Sequence, residues 1–481
     1  MITDAQFEEW LRSSTAQRVT LYEADVLSAD VEVTRRIANR AYTGDADTPY
    51  THAVAKDVVV VDAITRDGGA RLSVSQMAIW NVKGERDSWL DDVWTGRELR
   101  AYIGDMRWPI ADFRQVFTGV MKRVMGDEKG TQILIDLRDI TERINVPVSD
   151  LLMDDGSLWP LTFGEAPNIT PRLRNPDTGQ YTFHPTATED VIEARVEAKP
   201  RTTITKQLTS GSFTFQTAVA GAVTASVQGD KTGGIYRNTI GALVRLLVTA
   251  YGQAGERFTE AEIDGASFDA FEASHPQAVG LYLPERTSVI EACHRLAKSV
   301  QAHLVPSRLG KLRMVQYGIP ATSSGSLTEN DYVSLQRGEP HPIAAAVKIL
   351  YARNYTVQSS LQTSIPLEHK EIFAREWRAA TATDAPTATR HKLPLDPKLA
   401  DETCLLNFED AMAEAERRLA QDKLARVPYM IDGNPVTMLL ELGKGVTVYG
   451  RRYGMNAGKL GQVTMTSLDL GTYRTMIEVT V

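Results

Sequence analysis

The sequence predicts a multidomain chain, mainly β, with an α+β insertion between β-rich ends. Three observations predict it. Residues 15–145 alternate β-branched and aromatic runs with turn-forming glycine, asparagine and aspartate, and show little helical periodicity. From Asn238 the apolar spacing switches to a helical period. The chain has 481 residues, more than one ordinary core serves. These shifts divide it into 1–150, an antiparallel barrel or sandwich; 151–235, a small β-module; 236–334, an α+β domain; and 335–481, one long helix followed by closing strands.

Residues 4–13 place Phe7, Trp10 and Leu11 on one helical face, with Asp4 positioned as N-cap. Residues 18–26 and 31–39 read as strands. Residues 57–65 and 70–80 flank Asp67-Gly68-Gly69, a hairpin signal because glycine supplies the positive φ of a tight turn. Alternation in the second run changes phase at Met77 and Ile79, which predicts a bulge near Gln76. Strands follow at 98–103, 112–123 and 132–139.

The stretch from Leu158 to Asp230 alternates turns with short strands. It opens WPLTFGEAPNITP, continues RLRNPDTGQYTFHP and closes GSFTFQTAVAGAVTASVQGD. Residues 191–198, 202–208, 212–217 and 222–228 are strand-like, with Phe213 and Phe215 on one face.

Ile240, Leu243, Val244, Leu247 and Tyr251 stripe a helix that Asn238 can cap and Gly252 can stop. Residues 259–272 add further helical turns. Ser288 and Glu291 form a capping box before Val289, Ala292, Leu296 and Val300. Residues 343–358 read as a strand, and 379–402, rich in Ala, Thr, Pro and Asp, as a long exposed loop. Residues 407–426 form a helix capped by Asn407. Phe408, Met412, Ala415 and Leu419 share a face, and acids early with bases late match the macrodipole. Strands at 436–442, 445–451, 461–469 and 473–481 end the chain.

A hydrophobic content of 43% excludes bulk disorder. The net charge of −8, with bases interspersed among acids, argues against binding that rests on phosphate neutralisation. Cys293 and Cys404 lack metal spacing and cannot make a disulfide framework. The first residues show no secretory signal, and no apolar run is long enough to span a membrane. The expectation is synthesis in a reducing cytoplasm.

The search for chemistry returns no catalytic, cofactor or metal residues. HExxH, GxSxG, the phosphate-loop motif and GxGxxG between strand and helix are all absent. Gly443-Lys444-Gly445 lacks the flanking residues of a phosphate loop and reads as a turn. His52, His184, His275, His294, His303, His341, His369 and His391 form no i, i+4 pair with one another. Cys293 and His294 are adjacent, so on a helix they diverge, and a buried cysteine beside a surface histidine is the reading. Asp91-Asp92 and Asp154-Asp155 could serve a glycosidase, but adjacent carboxylates rarely converge. Calcium at Asp154-Asp155-Gly156 or at residues 175–179 lacks the ligand periodicity of an EF-hand. Trp80, Trp89, Trp94 and Trp108 could form a carbohydrate platform, but core and loop-anchor tryptophans are commoner.

Three segments carry a resemblance: FRQVFTGVMKRV with TQILIDLRDITERINVPV (residues 113–148), PLTFGEAPNITPRLRNPDTGQYTFH with the distal GAVTASVQGD, and ELGKGVTVYGRRYGMNAGKLGQVTMTSLDLGTYRTMIEVTV (residues 441–481). On these the chain resembles a phage tail-tip (central baseplate) hub protein of long non-contractile tails. The resemblance implies a virion structural protein, not an enzyme, with no cofactor. It implies a homotrimer closing the tail tube, whose two tube-like β-barrel domains, 15–150 and about 335–481, flank the inserted modules. It implies tail-tube or tape-measure proteins and tail fibre or receptor-binding proteins as partners, and a genome that passes without sequence-specific contact. An acidic lumen would let DNA slide. A receptor- or glycan-binding tail protein and a tail-borne cell-wall hydrolase are the alternatives.

Overall fold

The computed structural model describes residues 2–42, 49–66, 70–217, 219–358, 361 and 365–481. Helix α1 (Asp4–Arg12) buries Phe7, Trp10 and Leu11, the face its spacing predicts. Its cap is Thr3, one residue before the expected Asp4. The Thr3 hydroxyl accepts from the Gln6 N–H, and the Gln6 side chain accepts from the Thr3 N–H.

Strands β1 (Arg18–Ser28), β2 (Val31–Ala38), β3 (Thr51–His52), β4 (Val54–Lys56), β5 (Val59–Ile64), β6 (Ala70–Val74), β7 (Met77–Trp80), β8 (Glu98–Asp105), β9 (Arg114–Gly126) and β10 (Gln132–Arg138) follow. Eight of them form one sheet in the order β3-β2-β1-β8-β9-β10-β7-β4. The two edge strands are separated by Ala53 alone, so they are one broken strand. The Ala53 N–H donates to the Ala38 carbonyl (3.1 Å), and the Ala53 carbonyl accepts from the Trp80 N–H (2.7 Å). The sheet therefore closes into a barrel filled by Tyr22, Ala24, Leu99, Ala101, Ile103, Ile133 and Ile135.

Hairpin β5–β6 does not join this barrel. Strand β5 pairs with the distant strand Lys459–Asp469, from Ala63 opposite Met465 to Val59 opposite Asp469. This corrects the expectation that residues 15–145 form one self-contained antiparallel barrel or sandwich. It also corrects the bulge expected near Gln76, because the chain crosses from one sheet to the other between Val74 and Met77. The phase changes because Met77, Ala78 and Ile79 are all buried within the barrel. The turn Asp67-Gly68-Gly69 lies outside the described residues.

The middle of the chain supplies β11 (Leu161–Ile169), β12 (Arg172–Asn175), β13 (Gln180–Thr182), β14 (Thr188–Val196), β15 (Lys199–Arg201), β16 (Ile204–Gln207), β17 (Ser212–Phe215), β18 (Val223–Asp230) and β19 (Gly280–Leu283). They make two sheets, β15-β14-β18-β11-β19 and β12-β13-β17-β16, with Phe183, Val191, Phe213 and Val227 in the core of the module. Strand β11 serves two cores: Leu161 and Phe163 face the helices, while Ala166 and Ile169 face the module. The change of partner is made at glycine. Gly164 has φ +61°, and a Cβ there would stand 2.0 Å from the Val279 carbonyl oxygen.

Helices α2 (Ile240–Ala250), α3 (Gly265–Ser274) and α4 (Val289–Lys298), with β20 (Ala302–Pro306) and β21 (Leu312–Gln316), build the α+β core. Strands β22 (Ser326–Leu327) and β23 (Tyr332–Arg337) come next. Then β24 (Ala346–Tyr351), α5 (Leu367–Phe373), β25 (Arg378–Thr383), α6 (Ala385–His391), β26 (Asp401–Glu402) and α7 (Phe408–Asp422) follow. Helix α7 does not pack on a barrel. Its Ala415 and Leu419 join Val347, Ile349 and Ala380 of the β25-β24-β26 sheet, in the same core as Leu243 and Leu296 of α2 and α4. Residues 346–422 thus belong with the α+β unit and not with the 335–481 barrel. The expected loop 379–402 contains β25, α6 and β26. Its strand reads RAATAT, too small-residued to signal burial, and α6 is a short helix capped by Asp384 on the Thr387 N–H.

The last sheet takes β27 (Pro428–Gly433), β28 (Gly445–Val448), β29 (Lys459–Asp469) and β30 (Thr475–Thr480). Its order is β22-β28-β29-β30-β27-β23. It repeats the closing device of the first barrel: β22 runs parallel to β28 and β23 antiparallel to β27, as β3 runs parallel to β2 and β4 antiparallel to β7. The fold is mainly β, with an α+β insertion and a nearly closed barrel-like sheet. Among the described residues no helix is long and apolar enough to cross a membrane.

Candidate functional site

The junction between the two barrel-like sheets is built from both ends of the chain. Phe7, Trp10 and Leu11 of α1 share a core with Val436, Met438 and Leu470. Arg12 reaches Asp331 at 3.0 Å in the turn between β22 and β23. That aspartate also accepts from the Thr328 N–H (2.9 Å) and hydroxyl (2.7 Å), so the turn and the cation hold each other. The Thr20 hydroxyl on β1 donates to the Leu470 carbonyl (2.8 Å), and the Asn39 amide donates to the Tyr473 hydroxyl (3.2 Å).

Hairpin β5–β6 adds a covalent strap to these contacts. Val60 and Ile64 bury their side chains, and Asp62, on the same face, is 5% exposed. Thr466 gives Asp62 a side-chain hydrogen bond, while its Oδ1 has no partner. Burial pushes this carboxyl up to about 6, against the pull of Arg308 and Arg313. Asp62, Asp139, Thr141 and His294 line a cavity of about 30 Å³, room for one water. It lies where the strap, the end of the first barrel and α4 meet.

A second buried polar cluster locks the β-module to α2. His184 and Asp230 are each 0% exposed. His184 Nδ1 accepts from the Thr162 N–H (3.1 Å), which places its proton on Nε2, 3.3 Å from both Asp230 Oδ2 and the Tyr251 hydroxyl. The Tyr251 hydroxyl donates to Asp230 Oδ2 (2.5 Å), and the Thr232 N–H and hydroxyl donate to the same carboxylate (3.0 and 2.7 Å). Burial raises the Asp230 carboxyl, but these hydrogen bonds prevail and bring it down to about 2. With Nδ1 accepting from the Thr162 N–H and Nε2 facing Asp230, both ring nitrogens are engaged within the protein. The arrangement is a clamp.

The residues weighed from sequence are scattered. Trp94 is 2% exposed and donates to the Trp89 carbonyl (2.7 Å). The Trp89 ring carries Arg35 and Arg86, Trp108 packs against Trp10, and Trp80 is exposed. Cys293 is buried in α4, while the adjacent His294 is partly exposed. Asp92 is held by Arg35 at 2.7 Å, and Asp91 points to solvent. Asp155 accepts from the Ser157 N–H and hydroxyl, and Asn175 accepts from the Asp177 and Thr178 N–H groups; both are local turns. Gly443 has φ +84° in the turn that leads into β28. Among the described residues no group of three or more His, Cys, Asp or Glu is placed to hold a metal ion.

Sequence reasoning missed both buried clusters. Asp62 had a legible signal, a lone acid at the apolar period of Val58, Val60 and Ile64. His184, Asp230 and Tyr251 had none, since three separate elements bring them together.

No protein-family model and no curated protein matches the chain. Solved structures similar to it include the tail protein from Neisseria meningitidis MC58, with TM-score 0.40 and 11% identity over 96% of each chain. A 43 kDa tail protein of prophage MuSo2 from Shewanella oneidensis gives TM-score 0.37 and 10% identity over 97% of each chain. Prophage tail protein gp18 from Listeria monocytogenes EGD-e gives TM-score 0.37 and 9% identity over 97% of this chain and 94% of that one.

Proposed function

We propose that the chain is a structural protein of a phage tail tip, forming the central hub ring that closes the tail tube and links it to the host-recognition apparatus. The observation that carries this is the exchange of hairpin β5–β6, which leaves one closed sheet and pairs with β29 of the other. Together with α1 it ties the two barrel-like sheets to each other. A cyclic ring closes only if each subunit holds its contact surfaces at a fixed angle, because an error at one interface repeats at every interface. Closure of the first sheet by the broken strand β3–β4 also hides edges that would otherwise template aggregation. The resemblance of residues 113–148, of the Leu158–Asp230 stretch and of residues 441–481 to hub proteins points the same way.

On this reading three copies present six barrels to a six-fold tube. Tail-tube or tape-measure proteins contact one side of the ring, and fibre or receptor-binding proteins the other. The chain performs no catalysis, and the genome passes the lumen without sequence-specific contact. The test is native mass spectrometry of the purified protein, joined to electron microscopy of tails labelled on this chain. A mass of three chains and label at the tube's distal cap are expected. Label confined to peripheral fibres, or clearing of peptidoglycan by the purified protein, overturns the reading.

A further inference from the structure

Hairpin β5–β6 is held at three places, and a buried or half-buried carboxyl stands at each. At its entry Asp57, two residues ahead of β5, accepts from the Tyr22 hydroxyl (2.8 Å) and the Asn39 amide (3.2 Å). In its middle Asp62 sits in the ladder with β29, opposite Thr466, and is 5% exposed. At its tip Arg66 pairs with Asp422 at the end of α7 (2.5 Å), and the Gln301 amide donates to the Arg66 carbonyl (3.4 Å). The hairpin therefore touches the first barrel, the last sheet and the α+β unit.

A carboxyl withdrawn from water resists ionisation. Among the described residues those that burial lifts are Asp57, Asp62, Asp139 and Asp422, and all four stand on this hairpin or against it. Asp139, itself facing Glu142, lines the same cavity of about 30 Å³ as Asp62 and adds its repulsion. Asp469 does so for Asp57, and Asp401 for Asp422. The opposing cations are Arg40 at the entry, Arg308 and Arg313 in the middle, and Arg66 and Arg418 at the tip. Three of them have other partners: Arg308 donates to the Leu440 carbonyl (2.6 Å), Arg313 to Glu441 (3.1 Å) and Arg418 to Glu414 (2.6 Å). Burial is the larger effect at all three places. His294, also on the cavity, works the other way, because burial lowers its imidazole from 6.5.

We propose that hairpin β5–β6 is a proton-sensitive latch, which grips the last sheet in acid and loosens as its carboxyls ionise. The sign follows from the burial. Each folded carboxyl keeps its proton to a higher pH than it would in an opened, hydrated hairpin. Its stabilisation is full below about pH 3.8 and is lost as pH rises, through about 6 for Asp62. Opening has to break only the β5–β29 ladder and the contacts at the entry and tip, while the first barrel keeps its own closed sheet. The latch does not depend on ring assembly and can fail or stand alone.

The test is hydrogen exchange of the full chain, read by mass spectrometry at pH 5 and pH 8 and corrected for intrinsic rates. Protection of residues 59–64 and 465–469 should fall roughly tenfold from the lower to the higher pH. Protection of the β14–β18 ladder in the β-module should stay constant. Asp62→Asn, nearly the native side chain in shape, should abolish most of the fall. His294→Gln removes the opposing group and should keep it. Equal protection of β5 and β29 at the two pH values overturns the latch. So does a fall shared by the β14–β18 ladder, which would report global unfolding, or an undiminished fall in Asp62→Asn. Comparison of the two ladders in the native chain needs no variant, so it decides the matter if Asp62→Asn does not fold.

Discussion

Asp62 stands directly opposite Thr466 in the ladder that straps the first barrel to the last sheet. Burial raises its carboxyl from 3.8 to about 6, with Asp139 adding repulsion and Arg308 and Arg313 opposing it. Between those two values the folded state holds more protons than the unfolded one. The contribution of this group to stability is therefore fully present below about pH 3.8 and lost as pH rises through about 6. The loss is at most about 3 kcal/mol. Asp62→Asn should remove this dependence and make the protein more stable than wild type at pH 8 but not at pH 4. Urea unfolding at the two pH values measures it, and parallel curves for the two proteins would refute the assignment.

The crossing of β11 between two cores predicts a severe effect at one glycine. A Cβ on Gly280 would lie 1.6 Å from the Glu165 carbonyl oxygen, so β19 and β11 could not keep their register. Gly280→Ala should cost upwards of about 3 kcal/mol or abolish soluble expression. Gly265, at the first position of α3, is the control, because a Cβ added there would meet nothing within 4 Å. Gly265→Ala should be neutral or stabilise by up to about 1 kcal/mol. Thermal melting of both variants separates close packing from a general intolerance of alanine.

How far the sequence reached can be judged at such positions. Alternation and helical spacing identified α1, α2, α4 and α7, and the β-rich ends, because each depends on residues close in sequence. What they could not register was partner choice. Val60 and Ile64 look the same whether β5 pairs within its own barrel or with Met465 and its neighbours. The face of α7 was half right for the same reason: Ala415 and Leu419 are buried, but Phe408 is 50% exposed, and Glu414 and Arg418 lie inside. Those charges are buried because they pair with each other (2.6 Å), and the Arg418 guanidinium caps the Lys298 and Ser299 carbonyls at the end of α4. No local pattern announces such a pairing.

The clamp between the β-module and α2 gives a prediction of opposite sign to Asp62. Asp230 is held at about 2, below its ordinary 3.8, so its stabilisation is present above about pH 3.8 and lost as pH falls through about 2. Asp230→Asn should flatten acid unfolding across that window by roughly 2 kcal/mol. Tyr251→Phe removes one donor to the same carboxylate and should cost about 1–3 kcal/mol at neutral pH. Acid titration followed by near-ultraviolet circular dichroism reads both, and an unchanged acid midpoint in Asp230→Asn would count against the clamp.

Ala53 closes the first barrel through one donated and one accepted backbone hydrogen bond. Ala53→Pro removes the donor and restrains φ, so it should open the sheet at the break between β3 and β4. A loss of about 3 kcal/mol or more is expected. The freed edges should raise light scattering on mild heating. Ala53→Ser keeps the N–H and should behave as wild type in both measurements.

Leu419 tests the placement of α7 against the β25-β24-β26 sheet. Its side chain, 6% exposed, sits in one core with Ile349 and Ala380. Leu419→Asp would bury a carboxylate in an apolar setting, and the nearby Arg418 is already committed to Glu414 and Asp401. The cost should be about 3–5 kcal/mol. Phe408→Asp, at the exposed first turn of the same helix, should stay within about 1 kcal/mol of wild type, since an acid there also complements the macrodipole. Chemical unfolding of the two variants decides between this face and the alternative in which Phe408 points inward. Equal losses for both substitutions would mean that the helix is rotated from the orientation described.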